Sequence, residues 1–172
     1  VNQGEAFTLM PLAKKGWKFK GWALSEGSSA IDGSTGKTGV SYTPIGNTTL
    51  YALWEHPTYT VKFDGGTETT DTYETLTKFY GDTVKLPTPQ ATVSGLEFAC
   101  WKDTYDREYD PSTADYSVPE RNATLKAVWR LKGEIETADD FLTLAELCSG
   151  SNGSKYKRNT KLICVKNDIE VP

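Results

Sequence analysis

The sequence has 172 residues and a formal net charge of −4; 37% of the residues are hydrophobic and 24% are charged. Its 19 basic residues are dispersed among 23 acidic ones, so the chain lacks the basic stripe that nucleic-acid binding requires. No stretch approaches the roughly 18 consecutive apolar residues of a membrane-spanning helix. We therefore expect neither a nucleic-acid partner nor a membrane span.

The first part of the chain, Val1–Trp54, is predicted to be β throughout. Ala6–Leu9 is predicted to be a short strand. Between Trp22 and Tyr42 glycine and serine dominate, which predicts an exposed hairpin or loop rather than a packed element. The last strand of this part places three apolar side chains on one face, namely Leu50, Ala52 and Trp54.

The second part, Tyr59–Arg130, is the only complete copy of a unit that the sequence repeats. It opens with Tyr59–Phe63, where apolar and polar residues alternate as in a half-buried strand. Asp64–Gly66 predicts a tight turn. Leu86–Pro89 predicts an ordered extended connector, because its two prolines cannot donate to a strand ladder. The part ends with another extended run, Ala123–Trp129.

Two pairs of segments show the repetition. Gly-Trp-Lys-Phe-Lys-Gly-Trp at Gly16–Trp22 aligns with Gly-Leu-Glu-Phe-Ala-Cys-Trp at Gly95–Trp101. Asn47–Trp54 aligns with Asn122–Trp129. The spacing drifts slightly from the first pair to the second, as it does when small insertions fall in loops between fixed positions. The chain is therefore predicted to contain a tandem repeat.

The opening strand, the Asp-Gly-Gly turn, Leu-Pro-x-Pro, Gly-aromatic-x-Phe-x-Gly-Trp and Leu-x-Ala-x-Trp, in this order, resemble the Listeria–Bacteroides repeat, also called the internalin B repeat. The resemblance covers Tyr59–Arg130 (the second copy) and most of Val1–Glu55 (the first copy). It implies small β-grasp-like, ubiquitin-related modules, mainly β or α+β in class, which occur in strings on bacterial surface proteins. The first copy lacks the opening strand and turn. In the second copy Cys100 stands where the pattern has glycine, as Gly21 does in the first.

The alignment also predicts the two cores. Five residues of each copy are expected to be mostly buried: Phe98, Trp101, Leu125, Ala127 and Trp129 in the second copy, and Phe19, Trp22, Leu50, Ala52 and Trp54 in the first. Because the first copy lacks one strand, we expect it to have the thinner core and an unpaired sheet edge.

The segment after residue 131 breaks the repeat and is predicted to be a helix followed by a strand. Thr137 and Asp140 form a capping box, so a helix is expected over about Ala138–Cys148. Its predicted apolar face comprises Phe141, Leu144, Ala145 and Cys148. After a Gly/Ser-rich stop, Thr160–Ile169 alternates as a strand.

This helix–loop–strand pattern resembles the entry segment of right-handed parallel β-helix domains in bacterial surface proteins, where a short amphipathic helix caps the first coil. A lid of this kind must pack on something, and we expect either the end of the second copy, around Trp129 and Leu131, or a neighbouring molecule. The expected cluster comprises Phe141, Leu144 and Leu162, with Cys148 and Cys164 on its border. The predicted division is a partial module at 1–56, a complete module at 57–130 and the start of a truncated further domain at 131–172.

Three cysteines are too few, and odd in number, for a disulfide scaffold. Cys100 lies beside Trp101 and is expected to be a small buried apolar residue. Cys148 and Cys164 either form a bridge or remain buried thiols, because the sequence gives no Cα distance between them. With no Cys-x-x-Cys motif and a single histidine, a zinc site is close to excluded.

Candidate catalytic and metal groups are few. The acidic insert Asp103–Asp110 suggests a calcium hypothesis, but it lacks the glycine and terminal glutamate of a calcium loop, so a charged, solvated turn is favoured. The single histidine, His56, lies in a linker where no triad can be assembled around it. No Gly-rich phosphate loop precedes a helix. We therefore expect no catalytic residue, no cofactor-binding residue, no cofactor and no metal ligand.

The tryptophans bear on function, because aromatic platforms also bind sugars. Four of them recur in register across the copies: Trp22, Trp54, Trp101 and Trp129. A large aromatic that recurs in a small module is more often core than ligand face. Trp17 is the exception, because its counterpart is Leu96.

We interpret the chain as a non-catalytic structural and adhesive segment of an extracellular bacterial cell-surface protein. It is expected to be a monomeric spacer or protein-interaction stalk, with a host or bacterial surface protein or a glycan as partner. The alternative is a carbohydrate-binding accessory module of an extracellular glycan-degrading protein, which would present two or more tryptophans on one open face.

Overall fold

The computed structural model describes residues 4–36, 38–135, 137–149 and 164–165. The chain is mainly β with a helix near its end, and it divides into two compact units, Val1–Thr58 and Tyr59–Pro172. The first copy holds the strands β1 Phe7–Leu9, β2 Lys18–Ala23, β3 Val40–Tyr42 and β4 Tyr51–Glu55. The second copy holds β5 Thr58–Asp64, β6 Leu76–Phe79, β7 Thr83–Val84, β8 Leu96–Lys102, β9 Glu108–Tyr109, β10 Tyr116–Ser117 and β11 Ala123–Leu131. β12 Glu134–Ile135, the helix α1 Ala138–Ser149 and β13 Cys164–Val165 follow.

The first copy consists of two antiparallel strand pairs, β1 with β3 and β2 with β4. The predicted strand at its start is confirmed as β1. A bulge interrupts the β2–β4 ladder between Phe19 and Gly21, which changes the local twist of the pair. Its core is thin: among the described residues of this copy the buried hydrophobic side chains are Leu9 and Ala23.

The five side chains expected to be mostly buried in the first copy are largely but not fully buried: Phe19, Trp22, Leu50, Ala52 and Trp54. Three of them are more exposed than their counterparts Trp101, Leu125 and Trp129 in the second copy. Among the described residues β4 pairs with β2 alone, whereas β11 has partners on both sides. A groove of about 430 Å³ in the first copy has Phe7, Tyr42 and Leu50 in its lining.

The Gly/Ser-rich insert of the first copy is a loop, as predicted, but part of it packs on β2. Ser34 is buried; its hydroxyl donates to the carbonyl of Ile31 (2.6 Å) and accepts from the N–H of Trp22 (3.0 Å). Gly21 has φ 122°, and a Cβ there would lie 2.9 Å from both Ala30 and Ser34. Only glycine therefore lets the insert approach the strand this closely.

The second copy is built on a five-stranded mixed sheet with the order β6-β5-β11-β8-β9. The first long strand, β5, and the last, β11, are parallel neighbours, and β8 is antiparallel to β11. A separate short pair joins β7 to β10. The central pairing of first and last strands agrees with the expected β-grasp-like arrangement, although the described residues of this copy contain no helix.

The core of the second copy is substantial. The largest cluster of buried side chains comprises Val61, Val84, Leu86, Trp101, Tyr116, Val118 and Leu125. A second cluster lies further along the same face of the sheet and comprises Leu96, Trp129 and Leu131. The expected burial of Trp101, Leu125 and Trp129 is confirmed. Phe98 and Ala127 pack against both clusters and are largely but not fully buried.

Backbone details repeat between the copies. The β8–β11 ladder has its bulge beside Ala99, the counterpart of Lys20 in the first copy. Gly4 and Gly81 adopt φ 83° and 82°, and each N–H donates a 2.9 Å hydrogen bond to the carbonyl of a residue after the strand pair, Pro44 and Val118 respectively. The sequence repeat is therefore a structural repeat down to single hydrogen bonds.

The predicted helix is confirmed as α1, and so is its cap. The backbone N–H of Asp140 donates to the hydroxyl of Thr137 (3.0 Å), and that hydroxyl donates back to the Asp140 carboxylate (2.9 Å). The helix packs on the end of the second copy, one of the two expected supports. Leu144, Leu147 and Cys148 contact the cluster around Trp129 and Leu131.

The face that α1 buries differs from the prediction. Phe141 is 40% exposed and Ala145 is exposed. The reason is the cap residue: Asp140 is buried, accepts a hydrogen bond from Ser94 (3.1 Å) and lies 3.6 Å from the ammonium of Lys132. Asp140 therefore faces the module, and the helix is rotated so that Leu144 and the residues one turn later follow it.

β12 and β13 form a short parallel pair, which confirms a strand within the predicted Thr160–Ile169. The side chains of Leu162 and Cys164 lie outside the described part of the chain. The cluster expected at Leu162, the bridge between Cys148 and Cys164, and the β-helix resemblance therefore stay predictions.

Candidate binding surface

The tryptophans that recur in register mostly serve the modules themselves. Trp101 and Trp129 are buried, and their indole N–H groups donate to the carbonyls of Pro87 (2.7 Å) and Gly65 (2.9 Å). Trp22 is half-buried and donates in the same way to Met10 (2.9 Å). An indole with its polar atom already bonded to backbone contributes rigidity and packing rather than a ligand face.

Trp17 is the more exposed tryptophan that the sequence singled out, at 37% exposure. The imidazole of His56 stacks on it with ring centroids 4.2 Å apart and an interplanar angle of 10°. The ammonium of Lys14 lies 4.0 Å from the same ring centroid. Two side chains therefore already lie against this indole.

These contacts leave less of the Trp17 ring open for a sugar to stack on. His56 is exposed, as expected for a linker histidine, but its ring stacks on the indole of Trp17.

The acidic insert of the second copy is organised around Asp103. This carboxylate is buried and accepts from the backbone N–H groups of Tyr105 (2.8 Å) and Arg107 (3.1 Å). It also accepts from the Arg107 Nε (2.8 Å) and the Tyr109 hydroxyl (3.2 Å). The expectation of a charged, solvated turn is therefore wrong for Asp103, whose side chain closes the turn between β8 and β9.

The surroundings of Asp103 and of two neighbouring groups shift their pKa values. Burial raises the pKa of Asp103, but the hydrogen bonds from the Arg107 side chain and from the backbone of Tyr105 and Arg107 outweigh it, so the net pKa lies below the ordinary value. Burial, with the neighbouring Asp103 charge, raises the pKa of Tyr109. Burial likewise raises the pKa of Cys100, which is buried as expected.

The other carboxylates of the insert do not converge on a cation. Asp110 accepts hydrogen bonds from the backbone and the hydroxyl of Ser112. Asp106 and Glu108 lie 3.8 Å and 3.4 Å from the ammonium of Lys102. In the described part of the chain no group of three or more His, Cys, Asp or Glu residues could hold a metal ion.

The Asp103 turn also presents a polar aromatic surface, which we call the Tyr105 surface: Tyr105, Arg107 and Arg121. Tyr105 is 62% exposed. The guanidinium carbons of Arg121 and Arg107 lie 4.4 Å and 5.6 Å from its ring centroid, and the three side chains line one open concavity. No sequence pattern indicates this surface, because Arg121 comes from a different loop.

Both units thus contain the same small β module, with its recurring tryptophans used as scaffold and its inserts as surface. Residues 1–53 and 59–128 match the family model of the Listeria–Bacteroides repeat domain. The chain belongs to the Listeria–Bacteroides repeat family. No curated protein sequence and no solved structure matches it.

The described part of the chain contains no helix that is long and apolar enough to cross a membrane.

Proposed function

We propose that this chain is a non-catalytic structural and adhesive segment of a bacterial cell-surface protein, where it acts as a spacer or protein-interaction stalk. The observation that carries the proposal is the role of the tryptophans. Trp101 and Trp129 are buried with their indole N–H groups bonded to backbone carbonyls. These two tryptophans therefore stabilise and rigidify the module, as a spacer requires, and do not form a ligand-binding face.

Membership of the Listeria–Bacteroides repeat family supports an extracellular, surface location. A non-catalytic role fits the surroundings of the reactive groups. His56 stacks on Trp17, and the Cys100 thiol is buried with a raised pKa, which lowers its reactivity. The division at 1–56, 57–130 and 131–172 stays a prediction within this proposal, as does the monomeric state.

Surface exposure in the producing bacterium tests this proposal. An antiserum raised against the purified chain should label intact cells, and brief protease treatment of those cells should remove the label while a cytosolic protein stays intact. Labelling that appears only after lysis would contradict the surface location and with it the proposed function.

The Tyr105 surface favours a second candidate function, the binding of an acidic glycan. The exposed ring of Tyr105 offers a face for sugar C–H groups, and Arg121 and Arg107 offer guanidinium groups for a carboxylate or sulfate. Arg107 is already fixed by Asp103, with 2.6 Å between its NH2 nitrogen and the carboxylate oxygen. A fixed guanidinium loses little conformational entropy when it binds an anion.

Retention on immobilised acidic and neutral polysaccharides tests this second function. We expect retention on the acidic polysaccharide alone, lost in Tyr105→Ala and Arg121→Ala. Lys126→Ala is the charge-matched control, since Lys126 is an exposed cation on β11. Equal weakening by Arg121→Ala and Lys126→Ala would show non-specific charge attraction and contradict a site at Tyr105.

A further inference from the structure

The first and last strands of the second copy are hydrogen-bonded to each other. β5 and β11 run parallel with four pairs in register, from Val61 opposite Ala123 to Asp64 opposite Lys126. These strands are also where the chain enters and leaves the module. The two ends of the module are therefore joined directly by backbone hydrogen bonds.

Two side chains extend this ladder at its two ends. Before it begins, the amide oxygen of Asn122 accepts from the backbone N–H of Thr60 (2.9 Å). After it ends, the buried indole of Trp129 donates to the carbonyl of Gly65 (2.9 Å). Between them Val61 and Leu125 are fully buried. We call the segments Thr60–Gly65 and Asn122–Trp129, together, the β5–β11 interface.

The direction of the strands decides how tension acts on this interface. Since β5 and β11 are parallel, the start of β5 and the end of β11 lie at opposite ends of the pair. Pulling on the two chain ends then slides one strand along the other and loads all the ladder bonds together. Two strands pulled apart from the same end would instead lose these bonds one after another.

We propose that the second copy bears mechanical load, with the β5–β11 interface as the element that resists extension. This inference rests on the proposed function as a spacer or stalk, because tension reaches such a segment when its partner is pulled. In the first copy the described residues place no strand parallel to β4. The resistance is therefore assigned to the second copy.

Single-molecule force spectroscopy on the full chain tests the proposal through pulling direction alone, without any mutation in the core. One set of molecules is held at the two termini. The other is held at the N-terminus and at position 121, an exposed residue just before β11, so that β5 and β11 separate from the same end. The unfolding event of the second copy is recognised by its contour-length gain, roughly 3.3–3.6 Å per released residue.

If the four register pairs share the load, the unfolding force between the termini should be roughly two- to fourfold higher than in the second geometry. Equal forces in the two geometries would overturn the proposal. Such a result would leave the spacer function standing, since surface labelling of cells is measured independently. Conversely, absent labelling would contradict the spacer function without changing the force ratio.

A matched pair of variants separates mechanical resistance from thermodynamic stability. Val61→Ala thins the β5–β11 interface, whereas Val118→Ala removes a similarly buried valine from the connection between β10 and β11. Both should lower the urea midpoint. Val61→Ala should lower the unfolding force between the termini, and Val118→Ala should leave most of it. A force that falls equally in both variants would show that it reports global stability and would overturn the role of the interface.

Discussion

The indole N–H of Trp101 donates to the carbonyl oxygen of Pro87 across 2.7 Å. Trp101 is fully buried, and the connector that contains Pro87 has no strand partner among the described residues. The bond therefore does for the connector what a sheet ladder does elsewhere: it satisfies a carbonyl and fixes the path of the chain. The first copy does the same with Trp22 and Met10 at 2.9 Å.

Removing a buried tryptophan should cost a large part of the module's stability. Trp129→Ala is expected to lower the free energy of unfolding by about 3–5 kcal/mol, because it leaves a cavity and an unsatisfied carbonyl at Gly65. Urea unfolding followed by circular dichroism measures the change. Trp17→Ala serves as control and should cost clearly less than Trp129→Ala, since that ring is 37% exposed. A Trp129→Ala loss no larger than the Trp17→Ala loss would contradict the structural role of Trp129.

The buried carboxylate of Asp103 should make stability depend on pH. Its pKa in the folded protein lies below the ordinary value of 3.8. A depressed folded pKa stabilises the native state above the unfolded pKa, and this contribution disappears as pH falls from about 4 through the folded pKa. Urea midpoints of the wild type should therefore drop more steeply below pH 4 than those of Asp103→Asn. Asp106→Asn, at a side chain that is 89% exposed, should follow the wild type, and identical profiles for all three proteins would contradict the assignment.

The thin core of the first copy predicts early opening. Native-state hydrogen exchange should show the amides of β4 exchanging before those of β11, because β11 has ladder partners on both sides and β4 on one among the described residues. Mass spectrometry of protease fragments resolves the two strands. Longer protection in Val1–Trp54 than in Tyr59–Trp129 would show that the missing strand matters less than the packing of the residues that are present.

The docking of α1 can be tested by comparing two of its faces. Leu144→Ala should weaken packing against the end of the second copy and expose the helix to proteolysis, whereas Phe141→Ala should change little, because Phe141 is 40% exposed. Thr137→Ala should remove the N-cap at a cost of about 0.5–2 kcal/mol. Limited proteolysis with time points compares the variants. Faster cleavage in Phe141→Ala than in Leu144→Ala would restore the face that the sequence alone predicts.

The parts of the fold that could be predicted are those that depend on local sequence patterns or that recur in both copies. The repeat, the opening strand β5 and the capped helix all follow from patterns that need no knowledge of tertiary contacts. The rotation of α1 could not be predicted, because a capping carboxylate such as Asp140 is normally solvated and is buried here by Ser94 and Lys132. Periodicity marks which side chains are apolar, and the contacts of the cap decide which face turns inward.

The candidate surface could not be predicted from the sequence. The insert that contains Asp103 has the composition of a solvated turn, and the burial of Asp103 depends on a hydrogen bond from the Arg107 side chain within the same turn. Tyr105 and Arg121 meet only because their two loops lie side by side. Trp22 and Trp54 are more exposed than their counterparts Trp101 and Trp129. The alignment could not show this difference, because it assumes the same neighbours for both copies.

The residue that follows the bulge differs between the two copies. Gly21 follows the bulge in the first copy and has no room for a Cβ under the insert held by Ser34. Cys100 takes the same place in the second copy, where the insert is held by Asp103 instead. The two inserts are thus attached in different ways to the same framework, and the residue after the bulge differs with them. A string of such modules can therefore display a different insert from each copy while the framework stays the same.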